Sequence, residues 1–231
     1  MEELWQGFVK ALELIMTFDP EVVQVAGRSL LFAATSCSIA MFLSLPLGSL
    51  IHFNNFYGKR LVINIIQTLY SVPTVAIGLF VFVLVSRAGP LGGLGILFTP
   101  AAIVVGQVLL VLPIITGLTI SALSGVDRVV VETAISMGAN RLQSTTLVIR
   151  EARFAILAAI IMGFGRAISE VGLSLMVGGN IKGFTRTITT AISLETSKGD
   201  VELSMALGII LIFLALVINI GLNRIQHRKD Q

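Results

Sequence analysis

Charged residues are scarce in this chain. Only 13% of its 231 residues are Asp, Glu, Lys or Arg, against about 25% in soluble domains. Hydrophobic residues make up 55% of the chain, and the mean hydropathy is +0.94. This composition is typical of an integral membrane protein. Membrane spans and short loops use up the length, so no soluble catalytic domain is expected.

Several chemical signatures are missing as well. Cys37 is the single cysteine, which excludes an intrachain disulfide and a thiol-ligated metal cluster. His52 and His227 lie far apart, so no metal site is predicted. The chain has no Gly-x-x-x-x-Gly-Lys-Ser/Thr loop and no nucleophile–base–acid set, so we expect no ATP hydrolysis, no catalytic residue and no cofactor. The net charge of +3 is too small to indicate nucleic-acid binding.

Five apolar segments have the roughly 20 residues that a membrane span needs. They predict an all-α membrane protein with about five transmembrane helices, over residues 29–52, 61–86, 99–123, 154–177 and 203–223. Pro46, Pro73 and Pro113 fall inside these segments and predict kinks or helix ends. Residues 224–231 form a polar tail after the last span.

The segment before the first span, residues 1–28, has a different pattern. Positions 4, 5, 8, 12, 15 and 16 place apolar side chains on one helical face, and Trp5 suits a membrane interface. We predict an interfacial amphipathic helix here. A partial extra span is the alternative.

Lysine and arginine favour one side of the predicted spans. With the N-terminus outside and the C-terminus in the cytoplasm, nine of them lie inside and six outside. Because cytoplasmic loops are enriched in these residues, this orientation is the one we predict.

The loop between the third and fourth spans, residues 124–152, is too regular for a simple connector. Val130, Ala134 and Met137 recur at helical spacing, Gly138 permits a sharp reversal, and Asn140 is suited to cap a second helix. The pattern predicts a helical hairpin on the cytoplasmic side. Periodicity alone leaves open whether this hairpin binds a partner or only connects two spans.

The motif Glu132-Thr-Ala-x-x-x-Gly138 resembles the EAA-x-x-x-G signature of ABC importer permeases of type I. Thr133 stands where that signature has alanine, and Glu151 stands where it usually has proline. Residues 165–172, Gly-Arg-Ala-Ile-Ser-Glu-Val-Gly, resemble the gate-forming helix of the same family. Residues 176–181 and 185–199 are more similar to the tungstate permeases than to the molybdate or sulfate ones. The resemblance covers about residues 29–223.

This resemblance implies a permease subunit of an ABC importer, in a bacterial or archaeal inner membrane, that translocates an oxoanion such as tungstate. Implied partners are a cytosolic ABC ATPase subunit, an extracytoplasmic oxoanion-binding protein, a second copy of the chain and the lipid bilayer. The implied contacts to the ATPase are Glu132, Thr133, Ala134, Met137, Gly138, Ala139 and Asn140. The alternatives are a molybdate or sulfate permease, or an ion-coupled secondary transporter, which would need ion-coupling residues near the midplane.

Arg166 and Glu170 are charges within the fourth predicted span. Their spacing of four residues lets the side chains meet on one helix, and charges in spans usually face a bundle interior or a water-filled cavity. We predict that they line the translocation path and its gate, together with Ser169, Gly172 and Ser174. A structural pair that pins neighbouring helices, or a proton relay, are the alternatives.

Residues 178–199 predict a short external helix after a break at Gly178-Gly179-Asn180, and Asp200 is suited to cap the last span. Hydroxyl donors without fixed charge could pass an oxoanion along through weak contacts. The candidate residues of this external segment are Gly179, Asn180, Thr185, Thr189 and Thr190. The alternative is that these hydroxyls bond locally to backbone.

Overall fold

The structure, a computed structural model, describes residues 2–227 and is entirely helical, with no strand in that range. The predicted all-α class is therefore confirmed. The α-helices are α1 (Glu2–Met16), α2 (Pro20–Phe53), α3 (Lys59–Leu69), α4 (Thr74–Val85), α5 (Pro100–Ser124), α6 (Arg128–Ser136), α7 (Arg141–Glu151), α8 (Arg153–Ile168), α9 (Gly172–Gly178), α10 (Ile188–Lys198) and α11 (Val201–His227). A single 3₁₀ turn, Gly92–Leu94, precedes α5. Most of the predicted tail, residues 228–231, lies outside the described residues.

Three helices, α2, α5 and α11, are long and apolar enough to cross a membrane unbroken. The second and fourth predicted spans are each broken into two helices, so that the total reaches five when each bent pair counts as one span. Helices α3 and α4 meet at 99°, and α8 and α9 meet at 59°. The first break lies at Pro73, where the sequence predicted a kink or a helix end, whereas the sequence did not predict the break between α8 and α9.

The three prolines have different effects. Pro73 precedes the first residue of α4 and lies at the break between α3 and α4, as its missing N–H donor permits. Pro46 and Pro113 remain inside unbroken helices α2 and α5. Neighbouring helices pack against both of these spans, which is the condition under which membrane helices tolerate proline.

Helix α2 starts well before the predicted first span. Asp19 caps it by accepting hydrogen bonds from the backbone N–H groups of Glu21 and Val22, both at 3.0 Å, and Pro20 occupies its first turn. Residues 20–28, which the sequence assigned to a separate N-terminal segment, are the first turns of this span.

Helix α1 packs along α11 through small residues. A Cβ atom on Gly7 would lie 2.7 Å from the Cβ of Met205, and Ala11 is buried in the same contact. Close approach over small residues is a common form of packing between membrane helices. The predicted apolar face remains exposed, with Trp5 67% and Met16 79% accessible, and is available to lipid.

The centre of the molecule is formed by α2, α5 and α8. Ala33, Ala40, Val111 and Ile115 are fully buried there.

The two ends of this bundle differ. The hairpin α6–α7 lies at the end where α2 and α5 finish and α8 begins, which we call the hairpin end. Helix α10 lies at the other, where the N–H of Ile188 donates to Ser29 Oγ of α2 at 2.8 Å; we call this the α10 end.

Candidate functional site

The hairpin at residues 124–152 forms as its sequence predicts. Asp127 caps α6 through the N–H of Val129 at 2.9 Å. Gly138 has a φ of +86°, a left-handed conformation that favours glycine, and it reverses the chain. Asn140 and Gln143 then form a reciprocal capping box, with bonds of 2.9 and 2.8 Å, at the start of α7.

The hairpin is attached to the bundle through a small apolar contact. Val148, Ala152 and Ile156 pack against Leu123 at the end of α5. Large apolar side chains elsewhere on the hairpin stay exposed: Met137 is 83% and Leu142 78% accessible. An exposed apolar surface on a folded, capped hairpin is typical of a protein-binding surface.

A cavity of about 680 Å³ separates the hairpin from the ends of α2 and α5. Of the predicted coupling residues, Glu132 and Ala139 line it. Thr133, Met137, Gly138 and Asn140 are exposed, and Ala134 is half-buried. Two of the seven predicted residues therefore line the cavity, and the other five lie elsewhere on the same hairpin. The lining residues are His52, Phe53, Leu123, Ser124, Val126, Arg128, Val131, Glu132, Ile135, Ala139, Arg141, Ser144, Thr145 and Val148.

The second predicted site lies at the break between α8 and α9. The sequence placed Arg166 and Glu170 on one helix; this is wrong, because α8 ends at Ile168 and Glu170 lies in the break. The two side chains nevertheless meet, with Arg166 Nη1 3.6 Å from Glu170 Oε2. Glu170 is 2% exposed, whereas the Arg166 side chain is 39% exposed.

Glu170 is held in the break by several hydrogen bonds. Its Oε1 accepts from the N–H of Leu173 in the first turn of α9, at 2.9 Å. Its backbone carbonyl accepts from Thr189 Oγ1 of α10, at 2.8 Å. Glu170 is therefore held by a hydrogen bond to α9 and by another to α10, and a shift of α10 would act directly on the residue that carries the buried carboxylate.

The other predicted gate residues surround this break. Ser169 is exposed and donates to the carbonyl of Arg166 at 3.2 Å. Gly172 lies so close to α4 that a Cβ atom would be 2.9 Å from Val75 Cγ2. Ser174 is 1% exposed, and its Oγ has no hydrogen-bond partner among the described residues.

Gln107 of α5 is a buried polar residue that the sequence analysis missed. Its Oε1 accepts from Ser36 Oγ of α2 at 2.9 Å, and its Nε2 donates to the carbonyl of Ala167 at 3.1 Å. One amide thus joins three helices just before the break. The sequence did carry a signal for Gln107: it is a single amide within a run of apolar residues. Such a group needs hydrogen-bond partners in a membrane, so it is expected to face neighbouring helices.

The segment between α9 and α11 is folded tightly at the α10 end. Gly179 and Asn180 both have positive φ, at +71° and +49°. Thr185 Oγ1 donates to the carbonyl of Gly178 at 2.6 Å, and Thr190 forms a capping box with Thr187 at the start of α10. Thr185, Thr189 and Thr190 are all at least 95% buried. The hydroxyls of Thr185 and Thr190 bond to nearby backbone, as in the local-bonding alternative, whereas that of Thr189 bonds to the distant carbonyl of Glu170.

Arginine and lysine side chains tie this segment to α2. Lys182 and Arg186 lie 2.6 and 3.5 Å from the carboxylate of Glu21, and Arg28 donates to the carbonyl of Arg186 at 3.1 Å. Asp200 caps α11 through the N–H of Leu203 at 3.0 Å, at the residue the sequence indicated.

The model of the family described as "Binding-protein-dependent transport system inner membrane component" matches residues 44–231. The tungstate uptake system permease protein TupB of Peptoclostridium acidaminophilum is 40% identical over 98% of this chain and 100% of its own length. TupB of Campylobacter jejuni is 37% identical, with 95% of this chain and 92% of that protein covered.

Among solved structures, a chain of a bacterial alginate ABC transporter, in complex with an alginate-bound periplasmic protein, superposes with a TM-score of 0.76 at 18% identity. The superposition covers 99% of this chain and 87% of that one. At this identity the likeness shows the fold, and it confirms the predicted importer-permease architecture. The chain therefore belongs to the family of binding-protein-dependent transport system inner membrane components, and it is a multi-pass membrane protein that serves as a transport subunit.

Proposed function

We propose that this chain is the permease subunit of an ABC importer for oxoanions and that tungstate is its substrate. The observation that carries the proposal is the 40% identity to a tungstate permease over 98% of the chain. Tungstate and molybdate are nearly identical in size and charge, and the substrate is selected by a binding protein that delivers the anion to the α10 end.

The N-terminus lies outside the cell and the C-terminus in the cytoplasm. The nine-to-six excess of Lys and Arg supports this orientation. Four of the nine, Arg128, Arg141, Arg150 and Arg153, belong to the hairpin or follow it directly. The hairpin end then faces the cytoplasm and the α10 end faces the binding protein.

The hairpin docks on the ATPase subunit through Glu132, Thr133, Ala134, Met137, Gly138, Ala139 and Asn140. Support comes from its exposed apolar side chains and from the start of α8 at Arg153, directly after α7 ends at Glu151, through which a force on the hairpin reaches α8. Closure of two ATPase subunits would bring two hairpins together and change which side of the pathway is open.

Two copies of the chain form the pathway. No residue of α3 is buried within one copy, and its Leu61, Ile65 and Leu69 are exposed. Arg166, Ser169, Glu170, Gly172 and Ser174 form the gate region. In the external segment, the buried Thr185, Thr189 and Thr190, with the turn at Gly179 and Asn180, hold in place the exposed residues 181–184, which supply a surface for the binding protein.

The test is a reconstituted complex of the permease, its ATPase and the binding protein in proteoliposomes. ATP hydrolysis and uptake should rise with tungstate, rise less with molybdate, and stay at baseline with sulfate. Tungstate uptake that runs on an ion gradient without ATP would instead establish a secondary transporter. Equal stimulation by sulfate and tungstate would remove the assignment to tungstate.

A further inference from the structure

The side chain of Arg166 has unused hydrogen-bond donors. A guanidinium group carries five N–H donors. Its distance to Glu170 Oε2, 3.6 Å, is too long for a hydrogen bond. Among the residues whose side chains the structure describes, 5–221 and 224, no acceptor takes a hydrogen bond from this side chain. The pair is therefore a charge contact that leaves the guanidinium able to bind another acceptor.

Glu170 cannot turn to satisfy those donors. Its Oε1 is committed to the N–H of Leu173 at 2.9 Å, and the residue is 2% exposed. The carboxylate therefore acts as a fixed negative charge behind Arg166. It holds the guanidinium in place electrostatically while the outer donors stay available.

The surroundings of Arg166 point away from lipid. The side chain is 39% exposed although α8 belongs to a membrane-spanning pair. Charged groups at membrane depth face a bundle interior or a water-filled cavity, because exposure to hydrocarbon is costly. Ser169, an exposed residue whose hydroxyl donates to the carbonyl of Arg166, follows three residues later. In the proposed dimer this partly exposed charge is therefore assigned to the pathway between the two copies.

We propose that Arg166 is a transient binding site for a divalent tetrahedral oxoanion within the pathway; the inference rests on the proposed function and specifies its substrate contact. The planar guanidinium fork matches two oxygens of such an anion and binds them with paired, charge-assisted hydrogen bonds. Glu170 repels the same anion from behind. Opposed attraction and repulsion give weak binding, which conduction requires so that the ion can leave.

The test compares Arg166→Gln, Arg166→Lys and the double variant Arg166→Gln/Glu170→Gln in the reconstituted complex, with Met162→Leu as the control on an exposed position of the same helix. Tungstate uptake and tungstate-independent ATP hydrolysis are measured in parallel. Arg166→Gln should lower uptake about tenfold or more, whereas Met162→Leu should leave both uptake and basal hydrolysis at the wild-type level. Arg166→Lys should be intermediate, because it keeps the charge and loses the fork.

The double variant separates a substrate contact from a structural pair. It leaves no buried charge unpaired, so its thermal stability should approach that of the wild type, while uptake stays as low as in Arg166→Gln. Wild-type uptake by the double variant would overturn the proposal and assign the pair a structural role. An equal loss in Met162→Leu would overturn it as well.

Glu170→Gln provides an independent measurement, because glutamine keeps an oxygen for the N–H of Leu173. Without the repelling charge the anion should be held longer, so both the half-saturating tungstate concentration and the maximal uptake rate should fall. Unchanged values for both would contradict the proposal.

Failure of the proposed function gives a different result. If the wild-type complex imports no oxoanion, the anion site is tested on the purified permease by the rise in melting temperature with added tungstate. Arg166→Gln should abolish that rise. An equal rise in the wild type and Arg166→Gln would overturn the site itself.

Discussion

Individual polar side chains inside the bundle determine how its helices fit together. Ser44 Oγ of α2 donates to the carbonyl of Leu112 in α5 at 3.0 Å, and Gln107 joins α5 to α2 and α8. These groups are buried, so losing a partner exposes an unpaired polar atom to an apolar environment. These polar side chains therefore restrict the relative placement of the helices more than the surrounding leucines and valines do.

We expect Gln107→Leu to destabilise the permease by about 0.5–1.5 kcal/mol for each lost hydrogen bond, because Ser36 keeps the carbonyl of Phe32 and Ala167 keeps the N–H of Glu170 as partners. Thermal unfolding of the purified protein in detergent measures the change. Gln67→Leu, at an exposed position of α3, is the matched control and should have little effect. Equal melting temperatures for Gln107→Leu and wild type would show that the bridge adds nothing to stability.

At the scale of elements, the helix breaks are held in place by contacts with neighbouring helices. The break between α3 and α4 lies over α5, where a Cβ atom on Gly117 would overlap the hydroxyl of Tyr70. The break between α8 and α9 is bonded to α10 through Thr189. Both breaks therefore depend on contacts with a neighbouring helix, α5 for the first and α10 for the second, and these contacts exist only in the packed bundle.

Gly117→Ala should therefore lower the melting temperature, because Tyr70 must move out of its place against α5. Gly208→Ala in α11 is the control: a Cβ atom there meets nothing within 4 Å, and alanine in a helix is favoured over glycine by roughly 0.5–1 kcal/mol. If both variants shift the melting temperature alike, the Tyr70 contact does not restrict this position.

The turn of the hairpin offers a second test at this scale. A Cβ atom at Gly138 meets no atom within 4 Å, so a substitution there acts only through the φ of +86°. Gly138→Val should weaken ATPase binding or uncouple hydrolysis from uptake, whereas Gly138→Asn should retain most of both, since asparagine tolerates this conformation. Binding is measured by co-purification with the ATPase.

Membrane insertion of the permease alone is the control for this pair of variants. Both should insert at wild-type levels, because the turn lies outside the spans. Normal coupling in Gly138→Val would exclude the hairpin from the mechanism.

For the whole molecule, the decisive property is which end faces the cytoplasm. The hairpin end carries exposed Ser136 and the α10 end carries exposed Ser197, so two conservative substitutions probe opposite ends. Basic residues concentrate at the hairpin end, which predicts that this end is cytoplasmic.

In a Cys37→Ala background, with the permease expressed without its ATPase, a membrane-impermeant thiol reagent should label Ser197→Cys in intact cells and not Ser136→Cys. Permeabilised cells should label both, which controls for accessibility. Labelling of Ser136→Cys alone in intact cells would reverse the orientation and remove the ATPase-docking assignment.

Local chemistry made much of this architecture predictable. Hydrophobic length alone located the segments that form three unbroken candidate spans and two bent pairs, since lipid requires about 20 apolar residues for each span. Gly138, Asn140 and Asp200 have the predicted local positions because caps and left-handed turns depend on neighbouring backbone.

Tertiary structure decided the rest, because those features depend on residues far apart in the sequence. The α8–α9 break places Glu170 off its expected helix and bonds it to Thr189, while the hydroxyl of Thr185 is buried instead of facing outward. The helical period that predicts a face cannot predict a break whose stabilising contacts come from other helices. The amino-acid sequence therefore determined the spans, the hairpin and its caps, and packing determined where the spans break and which polar groups remain available to a ligand.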